Sequence, residues 1–347
     1  MKLLSRLCLA VLVSLAGAAA AQQTPTQEQQ QRQVTQPGNN APVWREVRKE
    51  GNAENYTSIK GRETNVLVQS AGNTWRQIRN GPVTFWGGWA VIAVIAVIAA
   101  LYFAKGPIKL HDRPTGRLIL RFSSMEQVAH WCMAISFCVL GISGLIMLFG
   151  KYILLPVIGY TLFAWLTALA KNLHNFVGPF FILSTVIFVV LFIRDNLPRA
   201  YDFMWFRKSW SYMTGGAHVA SGRFNAGEKA LFWGLVCLFS VVLCVSGVVM
   251  LFPNFNQGRS IMQVANVTHV VCALLAIAMA CFHIYLGTIG MKGAYDAMRT
   301  GYVDETWAKE HHQIWYDEVR AGRANQRVAD QVPADVRAQI DQTLRSV

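Results

Sequence analysis

Charged residues are scarce in this chain. They make up 15% of its 347 residues, whereas 53% are apolar, and soluble domains carry about 25% charged residues. This shortage excludes an ordinary soluble enzyme. Acidic residues are the scarcer kind, since 19 Asp and Glu face 32 Lys and Arg and leave a net charge of +13. Nucleic-acid binders are also basic, but they lack long uncharged apolar runs, so we exclude nucleic acid as a partner.

Paired cysteines are missing as well. Cys8 lies near the N-terminus, and no Cys-x-x-Cys or Cys-x-x-Cys-His sequence occurs anywhere in the chain. The other cysteines all lie within apolar runs: Cys132, Cys138, Cys237, Cys244, Cys272 and Cys281. Disulfides, iron–sulfur ligation and covalently attached haem are therefore disfavoured on this chain, and we interpret these cysteines as small apolar filler.

Residues 1–21 have the three parts of a secretory signal peptide: Lys2 and Arg6, then a short apolar run, then Ala19-Ala20-Ala21 before Gln22. An uncleaved anchor is the alternative, although the apolar run is shorter than a membrane span needs. Residues 22–83 are then exported. Their first part is rich in Gln, Pro, Thr and Asn, which is typical of a flexible tether. Residues 41–80 suit contact with another exported subunit.

Five long uncharged runs follow. Each is long enough to cross the roughly 30 Å apolar layer of a membrane as a helix. They lie at 84–104, 128–150, 173–193, 230–252 and 265–290. The sequence therefore predicts an all-α membrane protein with five crossings.

The placement of the basic residues predicts the orientation of these helices. The connections 105–127 and 194–229 hold eleven Lys and Arg, whereas the two opposite connections hold three. The positive-inside rule then places the two basic connections in the cytoplasm, together with the C-terminal tail 292–347. We expect the tail to be solvated from Gln326 onward. Residues 152–170 are apolar but fall in an external connection, so we expect a helix lying in the membrane interface.

Four of the eight histidines lie inside or at the ends of the apolar runs: His130, His174, His269 and His283. Ionisable side chains are costly in a bilayer, so they indicate a functional site. The orientation places His130 and His283 near the cytoplasmic face and His174 and His269 near the external face. Each pair could hold the iron of a b-type haem between imidazoles from two helices. The alternative for any single histidine is a hydrogen bond between helices.

The remaining histidines fall in the predicted cytoplasmic connections, where we expect them to be solvated: His111, His218, His311 and His312. Three glycines on the helices of His130 and His174 suit a flat macrocycle lying close to the backbone: Gly141, Gly144 and Gly178. Small residues also promote ordinary helix packing in membranes, so these glycines agree with a haem site without deciding it.

Several motifs resemble the gamma subunit, a b-type cytochrome, of membrane-bound respiratory formate dehydrogenases. They are Ala129-His130-Trp131, Leu173-His174 with Gly178, the Arg-Phe-Asn-Ala-Gly-Glu-Lys segment from Arg223 to Lys229, Thr268-His269, His283-Ile284-Tyr285, the segment from Trp307 to His312, and Trp315-Tyr316. The resemblance covers about residues 117–320. The signal peptide, exported segment and first span resemble a longer form of the same subunit.

The resemblance implies a four-helix haem-binding core within 105–291, with 84–104 as an extra N-terminal transmembrane helix. It implies two non-covalent haems b, and a quinone pocket beside the inner haem formed by Asn225, Gly227 and His283. Asn225 could instead be a helix cap. The implied partners are an iron–sulfur beta subunit and a molybdopterin alpha subunit. This chain would span the bacterial inner membrane, and both partners would lie on its periplasmic side. Formate would be oxidised on the alpha subunit, so this chain carries no catalytic residue and passes electrons to quinone.

Two other functions stay open. The b-type cytochrome of another oxidoreductase, such as a nickel-iron hydrogenase or thiosulfate reductase, would share the paired histidines. A transporter or haem-free anchor would use the histidines as a proton relay. We expect no internal repeat, and the apolar runs hold no carboxylate; both points count against a transporter.

Overall fold

The computed structural model describes residues 70–213, 219–255, 257–326, 328–329 and 332–345. The predicted signal peptide, the predicted tether and His218 lie outside these residues. The chain divides into two units, residues 1–76 and 77–347. The helix Ser70–Ile78 leads through a wider π-helical turn, Arg79–Val83, into the first long helix. The sites described below all lie in the second unit.

The described residues contain five helices long and apolar enough to cross a membrane, which confirms the predicted all-α membrane fold. We name them by their order. Span 1 is Thr84–Lys105, span 2 is Ser124–Ile153, span 3 is Leu155–Phe192, span 4 is Ala226–Leu251 and span 5 is Arg259–Gly290. Span 4 contains a π-helical stretch at Phe232–Phe239, and span 5 ends in one at Leu286–Gly290.

The prediction of a separate interfacial helix at residues 152–170 is wrong. Span 3 is one helix from Leu155 to Phe192, and its only break is at Gly159, whose φ of 74° suits glycine. The 33 residues beyond this break are about 50 Å long, so the helix exceeds the roughly 30 Å apolar layer. Lys171 and Asn172 look like a boundary in the sequence, but neither residue breaks a helix. Residues 160–170 are therefore continuous with the helix of span 3 and do not form a separate helix.

The spans pack as two antiparallel pairs, span 2 with span 3 and span 4 with span 5. Span 1 lies against span 5 and touches span 2. Two adjacent glycines of span 1 make this approach possible: a methyl group on Gly87 would clash with Leu274, and one on Gly88 would lie 3.2 Å from Phe149. Small residues at helix contacts let backbones approach closely in membranes.

One end of the bundle carries a small folded cap, which we call the basic end because the two basic connections lie there. Strand β1, Leu118–Leu120, pairs antiparallel with strand β2, Tyr302–Asp304. The cap also contains the helices Ala200–Met213, Ala294–Thr300, Glu305–His311, Gln313–Arg320 and Ala334–Arg345. Its core includes Ile119, Phe122, Val303, Trp307 and Trp315, each buried.

The cap corrects two expectations about solvation. His311 and His312 are buried, the latter with only 1% of its surface exposed. The His312 ring lies 5.1 Å from the Trp307 ring, and its Nδ1 is 2.9 Å from the Gly222 carbonyl oxygen. The tail beyond Gln326 is not a free solvated segment either, because Ile340 is buried at 1% exposure. Of the described histidines in this group, His111 is exposed, although Glu310 contacts it.

The expectation that the chain holds no internal repeat is also wrong. Arg-Phe-Ser-Ser-Met-Glu begins at Arg121, and Arg-Phe-Asn-Ala-Gly-Glu begins at Arg223. Each segment starts a span with the same capping arrangement, in which the third residue caps the helix and the glutamate bonds back to it. Both segments lie at the basic end, so spans 2 and 4 begin there in the same way. The signal is short and separated by 102 residues.

Candidate haem-binding histidines

The structure brings the four membrane histidines together in the two predicted pairs. The ring centres of His174 on span 3 and His269 on span 5 are 6.0 Å apart, with an angle of 67° between the ring planes. The ring centres of His130 on span 2 and His283 on span 5 are 6.1 Å apart, with an angle of 61°. Each pair therefore joins two helices, and span 5 contributes to both.

These separations suit a metal ion between the two rings. An imidazole nitrogen binds a first-row metal at about 2.0–2.1 Å, and the ring centre lies about 1.1 Å behind that nitrogen. Two rings on opposite sides of one metal ion then have centres about 6.2 Å apart, close to both observed distances. The described residues contain no group of three or more His, Cys, Asp or Glu that could bind a metal ion without a macrocycle.

Two serines hold the rings of one pair. Ser143 Oγ lies 2.9 Å from His174 Nδ1, and Ser246 Oγ lies 2.9 Å from His269 Nδ1. Both serines are buried, with 3% and 6% exposure. Because Nδ1 is occupied by the hydroxyl, Nε2 is the nitrogen left to bind a metal ion.

The residue after each of these serines is a glycine facing the same ring. A methyl group on Gly144 would lie 3.5 Å from His174 Cε1, and one on Gly247 would lie 3.4 Å from His269 Cε1. Sequence reasoning singled out Gly144 but missed Ser143, Ser246 and Gly247. The signal was a Ser-Gly pair repeated in spans 2 and 4. Ser143 follows the capping residue of its span by 20 residues, whereas Ser246 follows its own by 21.

The π-helical stretch in span 4 accounts for this difference of one residue. It lies between the cap of span 4 and Ser246, and a π-helical turn accommodates an extra residue within a helix. With this extra residue, Ser246 and Gly247 of span 4 face His269 in the same way as Ser143 and Gly144 of span 2 face His174.

The other histidine pair has different surroundings. His130 Nδ1 is buried and has no hydrogen-bond partner in the part of the chain that the structure describes. Its ring packs against Trp131 and Phe188, with ring centres 5.2 and 6.2 Å away. The Trp131 indole donates a hydrogen bond to the Met298 carbonyl of the cap. His130 is half-buried and His283 is exposed in the described structure.

The other two glycines expected near a macrocycle differ in their surroundings. A methyl group on Gly178 would meet no protein atom within 4 Å, so this position leaves room beside the helix of His174. Gly141 instead faces Ile277 of span 5, where a methyl group would lie 3.8 Å away. Gly178 thus fits a flat group against the backbone, and Gly141 serves helix packing.

The residues expected to bind quinone lie at the start of span 4. Asn225 is buried and caps the helix: its Oδ1 accepts a hydrogen bond from Glu228 N at 3.0 Å, and its own N–H donates to Glu228 Oε2 at 2.8 Å. A methyl group on Gly227 would lie 2.8 Å from the ring of Trp205, so only glycine fits there.

Trp205 is fixed by a buried ion pair. It lies on the helix Ala200–Met213, where Asp202 accepts a hydrogen bond from Lys229 at 2.8 Å. Both charged side chains are nearly inaccessible to solvent, at 10% and 6% exposure. The pair therefore holds this helix against the beginning of span 4, beside Gly227.

Comparison with known proteins agrees with this arrangement of helices and histidines. A family model described as prokaryotic cytochrome b561 matches residues 121–301, which include spans 2 to 5 and all four membrane histidines. The chain therefore belongs to the prokaryotic cytochrome b561 family, and within it to the cytochrome b subunits of formate dehydrogenase, as the relatives below show. Membership implies b-type haem, and the paired imidazoles fit that group.

The relatives carry the second part of this assignment. The chain is 34% identical over 204 residues to the formate dehydrogenase cytochrome b556(fdo) subunit of Escherichia coli K12, covering 58% of this chain and 93% of the relative. It is 27% identical over 218 residues to the nitrate-inducible cytochrome b556(Fdn) subunit of the same organism, covering 60% and 94%. It is 28% identical over 210 residues to a cytochrome b556 subunit of Haemophilus influenzae Rd, covering 58% and 83%.

Proposed function

We propose that this chain is the di-haem cytochrome subunit of a formate dehydrogenase complex and carries electrons across the membrane to quinone. His174 and His269 would hold one haem and His130 and His283 the other. The observation that carries the proposal is the distance of 6.0 to 6.1 Å between the rings of both pairs. Each haem supplies one-electron chemistry, since its iron changes oxidation state by one.

We propose that the basic end faces the cytoplasm. The excess of Lys and Arg in its connections supports this orientation. Electrons would then enter at the His174/His269 pair, on the outer side, and leave at the His130/His283 pair. Moving a charge across the membrane potential costs about 2.3 kcal/mol per 100 mV, so this transfer conserves energy. Formate oxidation would take place on a molybdopterin alpha subunit, and an iron–sulfur beta subunit would deliver the electrons.

Quinone would bind between the start of span 4 and His283. Among the described residues the Asn225 amide nitrogen has no hydrogen bond, and that group can donate one to a quinone oxygen. Gly227 lets the Trp205 ring pack against the start of span 4 beside this position. Reduction of one quinone takes two electrons from the haem side and two protons from the basic end.

A spectroscopic measurement on the purified chain tests this function. Reduction with dithionite should give low-spin b-type bands and about two haems per chain, and addition of a soluble quinone analogue should reoxidise them. One haem or none would contradict the di-haem proposal, and haems that quinone leaves reduced would contradict the route. The complex itself is tested by copurification of an iron–sulfur chain and a molybdopterin chain with this one.

A further inference from the structure

We infer that Ser143 and Ser246 are positioning residues that lower the reduction potential of the His174/His269 haem below that of the His130/His283 haem. The inference rests on the proposed function, because it requires both haems. It deepens that function by giving the electrons a direction that is built into the protein.

The hydrogen bonds determine the proton position on both rings. A serine hydroxyl has one proton, and each of these serines has a carbonyl of its own helix to receive it. Ser143 Oγ donates to Leu140 O at 3.1 Å, and Ser246 Oγ donates to Val242 O at 2.6 Å. The hydroxyl oxygen is then an acceptor, so each histidine places its proton on Nδ1 and donates it to the serine. Nε2 keeps its lone pair for iron.

This donation changes the iron ligand electronically. A hydrogen bond from the far ring nitrogen makes the ligating nitrogen more basic, and a more basic ligand favours the higher oxidation state of the metal. Both ligands of the His174/His269 haem receive the effect, because both serines are present. The two hydroxyls are buried, so water does not weaken it. The predicted result is a haem that is harder to reduce.

His130 in the second pair lacks this arrangement in the part of the chain that the structure describes. His130 Nδ1 has no hydrogen-bond partner among the described residues, and aromatic rings surround it. The internal repeat explains the contrast. His283 follows His269 by fourteen residues, and the residue fourteen after His174 is Phe188, which packs on His130. One end of the bundle therefore keeps a matched Ser–His pair in each repeat, and the other end does not.

The difference between the two sites suits the proposed direction of transfer. Electrons that move from the outer face to the basic end travel against the membrane potential, and that movement costs free energy. A haem of lower potential at the entry and one of higher potential at the exit offsets part of this cost. The serines would thus favour forward transfer while the potential is present.

A redox titration of the purified chain tests the inference, with Ser143→Ala, Ser246→Ala and the double variant. We expect each alanine to favour reduction of the His174/His269 haem about tenfold, a shift of about 59 mV to more positive potential for one electron. The other haem should not move. Ser136→Ala is the matched control, since Ser136 is buried in span 2 and bonds only to backbone carbonyls. Ser143→Thr keeps a hydroxyl and should restore the wild-type value.

Two results would overturn the inference: unchanged potentials in the double variant, or a wild-type His174/His269 haem with the higher potential. The haem is assigned by its loss in His269→Ala. If the alanine variants lose haem, the wild-type order of potentials decides the question. Failure of the proposed function looks different, because the wild-type chain would then contain fewer than two haems.

Discussion

Arg121 and Arg223 each donate a hydrogen bond to the main-chain carbonyl of the other, at 2.8 and 2.6 Å. Each arginine also forms an ion pair with the glutamate of the other segment. Arg121 pairs with Glu228, which caps span 4, and Arg223 pairs with Glu126, which caps span 2. Both guanidinium groups also lie over the rings of Phe122 and Phe224. This crossed contact joins the two repeats at the basic end and fixes where spans 2 and 4 begin.

Loss of Arg121 should destabilise the protein strongly. Its side chain is 4% exposed, and Arg121→Gln would leave the Glu228 carboxylate without its ion-pair partner. Glu228 is 34% exposed, so water can solvate part of its charge, and we expect a loss of about 1–3 kcal/mol. Arg76→Gln is the control, because Arg76 is exposed and its hydrogen bond to Asn73 lies on the surface, so the change should cost under about 0.5 kcal/mol. Thermal unfolding in detergent, followed by tryptophan fluorescence, measures both. Equal losses would contradict the structural importance of the crossed contact.

Gly301 should not tolerate alanine. Its φ is 88°, and a methyl group there would lie 2.6 Å from the Phe122 carbonyl oxygen, just before span 2. Gly322 has a φ of 65°, but a methyl group there would meet no atom within 4 Å. The Gly322 variant therefore measures the cost of backbone strain without a steric clash. We expect Gly322→Ala to cost about 1–2 kcal/mol, and Gly301→Ala to cost clearly more. The comparison uses the free energy of unfolding of the two variants, and a similar loss in both would refute the contact.

Acid should weaken the folded cap through His312. Burial holds the pKa of His312 well below its usual range, and the nearby Arg121 charge lowers it further. The unfolded chain binds a proton here below about pH 6.5, whereas the folded chain does not. Stability therefore falls by about 1.4 kcal/mol per pH unit below that value.

The variant His312→Asn isolates this effect. Asparagine can keep the hydrogen bond to the Gly222 carbonyl but does not titrate. Unfolding free energies measured between about pH 7 and about pH 5 should fall less steeply in the variant than in the wild type. Identical slopes would mean that His312 accepts a proton in the folded cap.

Hydropathy and charge predicted the spans and the depth of each membrane histidine, because a bilayer constrains helix length and loop charge so strongly. The pairing of the histidines was predicted from their depth in the membrane alone. Ser143 and Ser246 could not be found this way, since a serine in an apolar helix usually bonds to its own backbone. Which ring it faces depends on how two helices pack.

The basic end was harder to predict than the membrane helices. His312 and Ile340 are buried in the cap, where β1 pairs with β2, a strand more than 180 residues further along the chain. Mixed charges in the tail indicated solvent exposure, whereas several of them are buried in ion pairs. The repeat was missed because its two segments share only the arginine, phenylalanine and glutamate positions.

Replacement of the four membrane histidines, one at a time, tests the central claim most directly. Haem content and redox spectra are measured for His130→Ala, His174→Ala, His269→Ala and His283→Ala, with His111→Ala as the control because His111 lies in the cap. We predict that His174→Ala and His269→Ala lose the same haem, that His130→Ala and His283→Ala lose the other, and that the control keeps two. The pairing would be contradicted if His269→Ala and His283→Ala lost the same haem and both kept the other one.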